Sequence, residues 1–63
     1  MTTIQYKAYQ IVVYEIESNL GKGYRAAITI PNGRMRSIDS YRIGLTEADM
    51  LSGARTLIDM NLF

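Results

Sequence analysis

The sequence predicts a small α+β domain: a three-stranded antiparallel β-meander with one C-terminal helix packed on one face, in the order β-β-β-α. Three observations carry that prediction. The N-terminal third is rich in Tyr, Ile and Val, residues that pack well on a pleated surface. An Asn32-Gly33 pair separates two short apolar segments, which is a strong hairpin signal. After Gly44 the apolar residues change from alternation to three- and four-residue spacing. A chain of 63 residues permits one domain, residues 1–63.

The first strand is expected over residues 4–17. Within it Ile11, Val12, Val13 and Tyr14 are consecutive, so the strand is apolar on both faces and needs cover on both. Ser18 to Gly23 supplies turn residues, including two glycines able to take positive φ.

The second strand runs over residues 24–30 and ends at Pro31-Asn32-Gly33. A two-residue Asn32-Gly33 turn sets the third strand opposite it, with Ile30 facing Met35, Ile28 facing Ser37 and Tyr24 facing Tyr41. That set is the greasier one and is expected to face the helix. On the other side Thr29 faces Arg36, Ala27 faces Ile38 and Arg25 faces Ser40. A slip of one residue would exchange the two faces.

Thr46 is placed to cap the helix, with Glu47 and Asp49 in a first turn that favours anions. Leu45 and Met50 stand at the positions of a hydrophobic staple. Leu51, Ala54, Leu57, Ile58 and Leu62 lay an apolar stripe along the helix.

Composition excludes much chemistry. With no cysteine there is neither a disulfide nor a thiolate metal site, and with no histidine there is no imidazole ligand, shuttle or Ser-His pair. Glu15 and Glu17 share a strand face but read as solvated charges. Gly21-Lys22-Gly23 precedes a strand, whereas a phosphate-binding loop needs a helix after it. No catalytic, cofactor-binding or metal-binding residue is expected, and the chain does not read as an enzyme. Its longest strictly apolar run is Ile11 to Tyr14, far short of the roughly 20 residues that span a bilayer. The N-terminus lacks the apolar block of a secretory signal, so a cytoplasmic protein without membrane association is expected.

Six of the seven basic residues fall in the strand-and-turn region. Arg25, Arg34 and Arg36 gather at the second hairpin, interleaved with tyrosines. A sheet bearing arginines and aromatic rings can bind single-stranded nucleic acid by phosphate attraction and base stacking. The formal charge of only +1 favours a solvated face over that alternative.

The cadence from Gly23 to Asp59 resembles the HicB-like antitoxin family. The residues that carry the likeness are Gly23-Tyr24-Arg25-Ala26, Ile30-Pro31-Asn32-Gly33, Gly44-Leu45-Thr46-Glu47-Ala48 and Ala54-Arg55-Thr56-Leu57-Ile58-Asp59. The resemblance implies a β-β-β-α module that sequesters a small ribonuclease toxin. The resemblance also implies a C-terminal DNA-binding element, and here the chain departs from the pattern: Phe63 comes directly after the helix, so direct operator binding is not expected.

A homodimer is expected as well. A core this small, set against chain ordering of about 1.5 kcal/mol per residue, comes out near zero net stability. Pairing with a second copy would cover the remaining apolar surface, for which Ile11, Val12, Val13, Tyr14, Met60 and Phe63 are the expected interface residues.

Overall fold

In the computed structural model, which describes residues 1–62, the expected first strand is folded back on itself at Lys7 and Ala8. The result is four strands rather than three: β1 (Thr2–Tyr6), β2 (Tyr9–Ser18), β3 (Gly21–Thr29) and β4 (Met35–Ser40), followed by one helix, α1 (Glu47–Asp59). The sheet is antiparallel throughout, in the order β1-β2-β3-β4. Lys7 and Ala8 take φ of 49° and 69°, so both central residues of this turn lie in the left-handed region, as a type I′ hairpin requires. Neither residue type advertises such a turn.

The β3–β4 register also differs from the expected one. Thr29 pairs with Met35, Ala26 with Ile38 and Tyr24 with Ser40, a shift of one residue. The physical reason is Pro31, whose fixed φ suits the second position of a type I turn. Gly33 N–H donates to the Ile30 carbonyl at 2.8 Å, and Ile30 N–H donates to the Arg34 carbonyl at 2.8 Å. Pro31, Asn32 and Gly33 therefore form a three-residue loop with Gly33 left-handed at φ 91°. Ile28 and Tyr24 do face the helix as expected, but their partners on β4 are Arg36 and Ser40.

The core is built from Ile11 and Val13 on β2, Ala26 and Ile28 on β3, and Met50, Ala54 and Ile58 on α1. No polar side chain is buried among the described residues. Thr46 caps α1 in a reciprocal box with Asp49, each backbone N–H donating to the other's side chain at 3.1 Å. Leu45 packs against the core beside Met50, as a staple would. The helix closes with Asn61 left-handed at φ 56°, while Asn61 and Leu62 N–H donate to the Ile58 and Leu57 carbonyls. Leu62 lies beyond that stop and is exposed, so the apolar stripe ends at Ile58.

Candidate interaction surfaces

The helix is fastened to one side of the sheet. At its N-terminal end the Thr2 hydroxyl donates to Glu47, and at its C-terminal end Tyr6 Oη donates to Asp59 at 2.9 Å. Lys7 Nζ pairs with Asp59 Oδ1 at 2.6 Å. These contacts hold the Glu47 and Asp59 carboxyls below their ordinary range: for Glu47 first through the Thr2 hydroxyl, for Asp59 first through the Lys7 ammonium and then Tyr6. All three tie α1 to β1 and its turn, while the helix packs over β2 and β3. Strand β4 is left outside that cover.

Two apolar surfaces follow from this geometry. The first is the sheet face opposite the helix. Alternation along the ladder places Val12, Tyr14 and Ile16 of β2, Ala27 of β3 and Met35 of β4 there. Met35 is 66% exposed. Of the charged strand residues Glu15, Glu17, Lys22, Arg25, Arg36 and Asp39, only Arg25 and Asp39 project from this face. They neutralise each other, with Arg25 Nε donating to Asp39 Oδ1 at 2.8 Å and Nη2 to Oδ2 at 2.9 Å. That fork holds the Asp39 carboxyl low and raises the guanidinium further.

The second surface is a groove of about 350 Å³ between α1 and β4. Ala26, Ile38, Met50, Ala54 and Leu57 give it an apolar lining, and Gly53 opens it toward the helix backbone. A further cleft of about 380 Å³ lies at the opposite end of β3, where Tyr24, Tyr41, Lys22 and Arg42 meet Glu15. Burial and the neighbouring Glu15 carboxylate raise the Tyr24 phenol. Tyr24 and Tyr41 are not cross-strand partners, since Tyr24 pairs with Ser40.

The residues singled out by sequence are distributed unevenly over these surfaces. Ile11 and Val13 are fully buried beneath the helix and belong to the core, whereas Val12 and Tyr14 lie on the uncovered face. Met60 is 61% exposed beyond the helix end, and Phe63 lies outside the described residues. Arg25, Arg34 and Arg36 are not brought together: Arg25 is held by Asp39 on the uncovered face, while Arg36 and Arg34 fall on the helix side. The groove was missed by sequence reasoning, and Gly53 in mid-helix is the one residue that could have signalled it. Among the described residues no group of acidic side chains could hold a metal ion. Among the described residues no helix is long and apolar enough to cross a membrane. No family model, no curated protein and no solved structure matches this chain.

Proposed function

We propose that this chain is a non-catalytic protein-binding module that works as a homodimer, closing its uncovered sheet face against that of a second copy. The observation that carries this reading is the charge pattern of that face. Its apolar residues Val12, Tyr14, Ile16 and Ala27 surround a single ion pair, Arg25 beside Tyr14 with Asp39, whose charges cancel within one protomer. Two such faces meet without net repulsion, and a face with no net charge and an apolar majority is suited to pairing with its own copy. Four strands about 4.8 Å apart give a projected area on the order of 500 Å². That is the small end of specific interfaces, so the dimer is reversible.

The likeness of Gly23-Tyr24-Arg25-Ala26 and the later helix start to HicB-like antitoxins supports a toxin-like ribonuclease as the partner and cytoplasmic action. The nucleic-acid alternative is weakened by the Arg25–Asp39 fork, which leaves Arg25 no free charge for a phosphate.

Sedimentation across micromolar concentrations tests the dimer. The wild type should pass from monomer to dimer with rising concentration, and Tyr14→Glu, which buries a charge at the centre of the seam, should remain monomeric with an unchanged circular dichroism spectrum. A folded wild-type monomer at every concentration would overturn the reading.

A further inference from the structure

We infer that the groove between α1 and β4 takes an extended segment of a partner polypeptide, added as a fifth strand antiparallel to β4, with alternating apolar side chains and an acidic C-terminal end. The inference rests on the reading of the chain as a protein-binding module and not on its dimerisation.

Three independent features point to this occupant. The first is the free backbone edge. Ile30 and Arg34 form a hydrogen-bonded pair at the start of the ladder, and such pairs alternate along antiparallel strands. Arg36, Ile38 and Ser40 therefore turn their backbone groups toward β3, while Met35, Ser37 and Asp39 turn theirs outward from the sheet. An extended peptide satisfies such a row by strand addition. It would project alternate side chains over Ile38 toward Leu57 and Gly53.

The second feature is Gly53. It sits in the middle of a helix, where glycine is unfavourable, and a Cβ built there meets nothing within 4 Å. The fold itself therefore does not require glycine at this position. A side chain inserted beneath the helix would use the space. Gly23, by contrast, is required by the fold: a Cβ there would collide with the Ser40 carbonyl oxygen.

The third feature is charge. Arg34 and Arg36 lie at the N-terminal end of β4 on the groove side, and neither makes an ion pair among the described residues. An antiparallel segment brings its C-terminal end beside them. Acidic residues at that end complete the match.

The probe is a capped peptide of about eight residues, long enough to pair with β4, alternating valine and threonine and ending in two aspartates. It is titrated into isotope-labelled protein and followed by backbone amide shifts. Shifts should concentrate at Met35, Ser37 and Asp39, and the same peptide ending in two lysines should bind less tightly. Ser37→Pro removes an outward N–H that β3 does not use, so the fold should persist while binding weakens about tenfold or more. Gly53→Ala should raise the melting temperature yet weaken binding, and it carries the test should Ser37→Pro fail to fold. Arg34→Glu with Arg36→Glu should reverse the preference between the two peptides.

Absence of shifts along β4 at millimolar peptide would overturn the inference. So would shifts confined to Val12, Tyr14 and Ile16, or binding to Gly53→Ala as tight as to the wild type. Sedimentation separates this proposal from the dimer. Monomeric Tyr14→Glu that still binds the peptide supports the groove. A Tyr14→Glu protein that stays dimeric, and whose dimer protects the Met35, Ser37 and Asp39 amides from exchange, would assign the β4 edge to a second copy and end the proposal.

Discussion

Lys7 and Ala8 hold left-handed backbone without the help of glycine or asparagine, a conformation that costs L-residues roughly 1–2 kcal/mol each. What over-determines the turn is its surroundings. Ile4 pairs with Ile11 and Tyr6 with Tyr9 on the helix side, and Lys7 reaches Asp59. Ala8→Gly should relieve the strain and stabilise the protein by about 0.5–1 kcal/mol, the gain being reduced by glycine's freedom in the unfolded chain. Denaturant unfolding checks this, and a lower midpoint would show that the turn is unstrained. The same residue explains why a fourth strand was not legible in the sequence. A Lys-Ala pair inside an apolar, β-branched run carries no turn chemistry, so tertiary contacts alone decide the fold there. The consecutive apolar residues Ile11 to Tyr14 were informative, since they mark a strand with two apolar faces, one under the helix and one uncovered.

The helix is the element most fully written in the sequence, because capping is local. Thr46, Asp49, Leu45 and Met50 act where their spacing places them. Gly53 is the exception, a helix interior residue whose removal nothing in the free fold opposes. Gly53→Ala should stabilise the free protein by about 0.5–1 kcal/mol in thermal or denaturant unfolding. Destabilisation would mean that the groove closes on the helix in solution. Strand β4 was legible as a strand but not in its register. Asn32-Gly33 signals a two-residue turn, and Pro31 overrides it by favouring the type I geometry that adds one residue. The groove depends on where the helix lies across the sheet, and no local pattern encodes that position.

For the whole molecule, the ion pairs make stability fall in acid. Asp39, Glu47 and Asp59 all have carboxyls held low in the fold, by Arg25, by Thr2 and by Lys7 respectively. A depressed folded-state value means that the stabilisation is present above the unfolded value of about 4 and is lost as pH falls through the folded one. Melting temperature should therefore be flat from pH 7 to about 5 and decline below about 4. The proposed dimer should weaken over the same range, because protonated Asp39 leaves Arg25 uncompensated on the uncovered face. Melting and sedimentation series from pH 7 to 3 check both, and a melting temperature that rose in acid would contradict the assignment. Raised salt screens the same exposed pairs and should lower stability modestly at neutral pH.

The contact between Lys7 and Asp59 has a consequence for cooperativity. Helix α1 has acidic residues in its first turn and no cation in its last, where Asp59 opposes the helix dipole. The missing positive charge is lent by Lys7, from a turn 52 residues away in the chain. Neither partner is complete alone: the helix lacks its terminal cation, and the strained turn lacks its anchor. Sheet and helix should therefore melt as one unit, with circular dichroism and tyrosine fluorescence tracing superimposable transitions, and a helix signal lost before the fluorescence change would show the two to be separable.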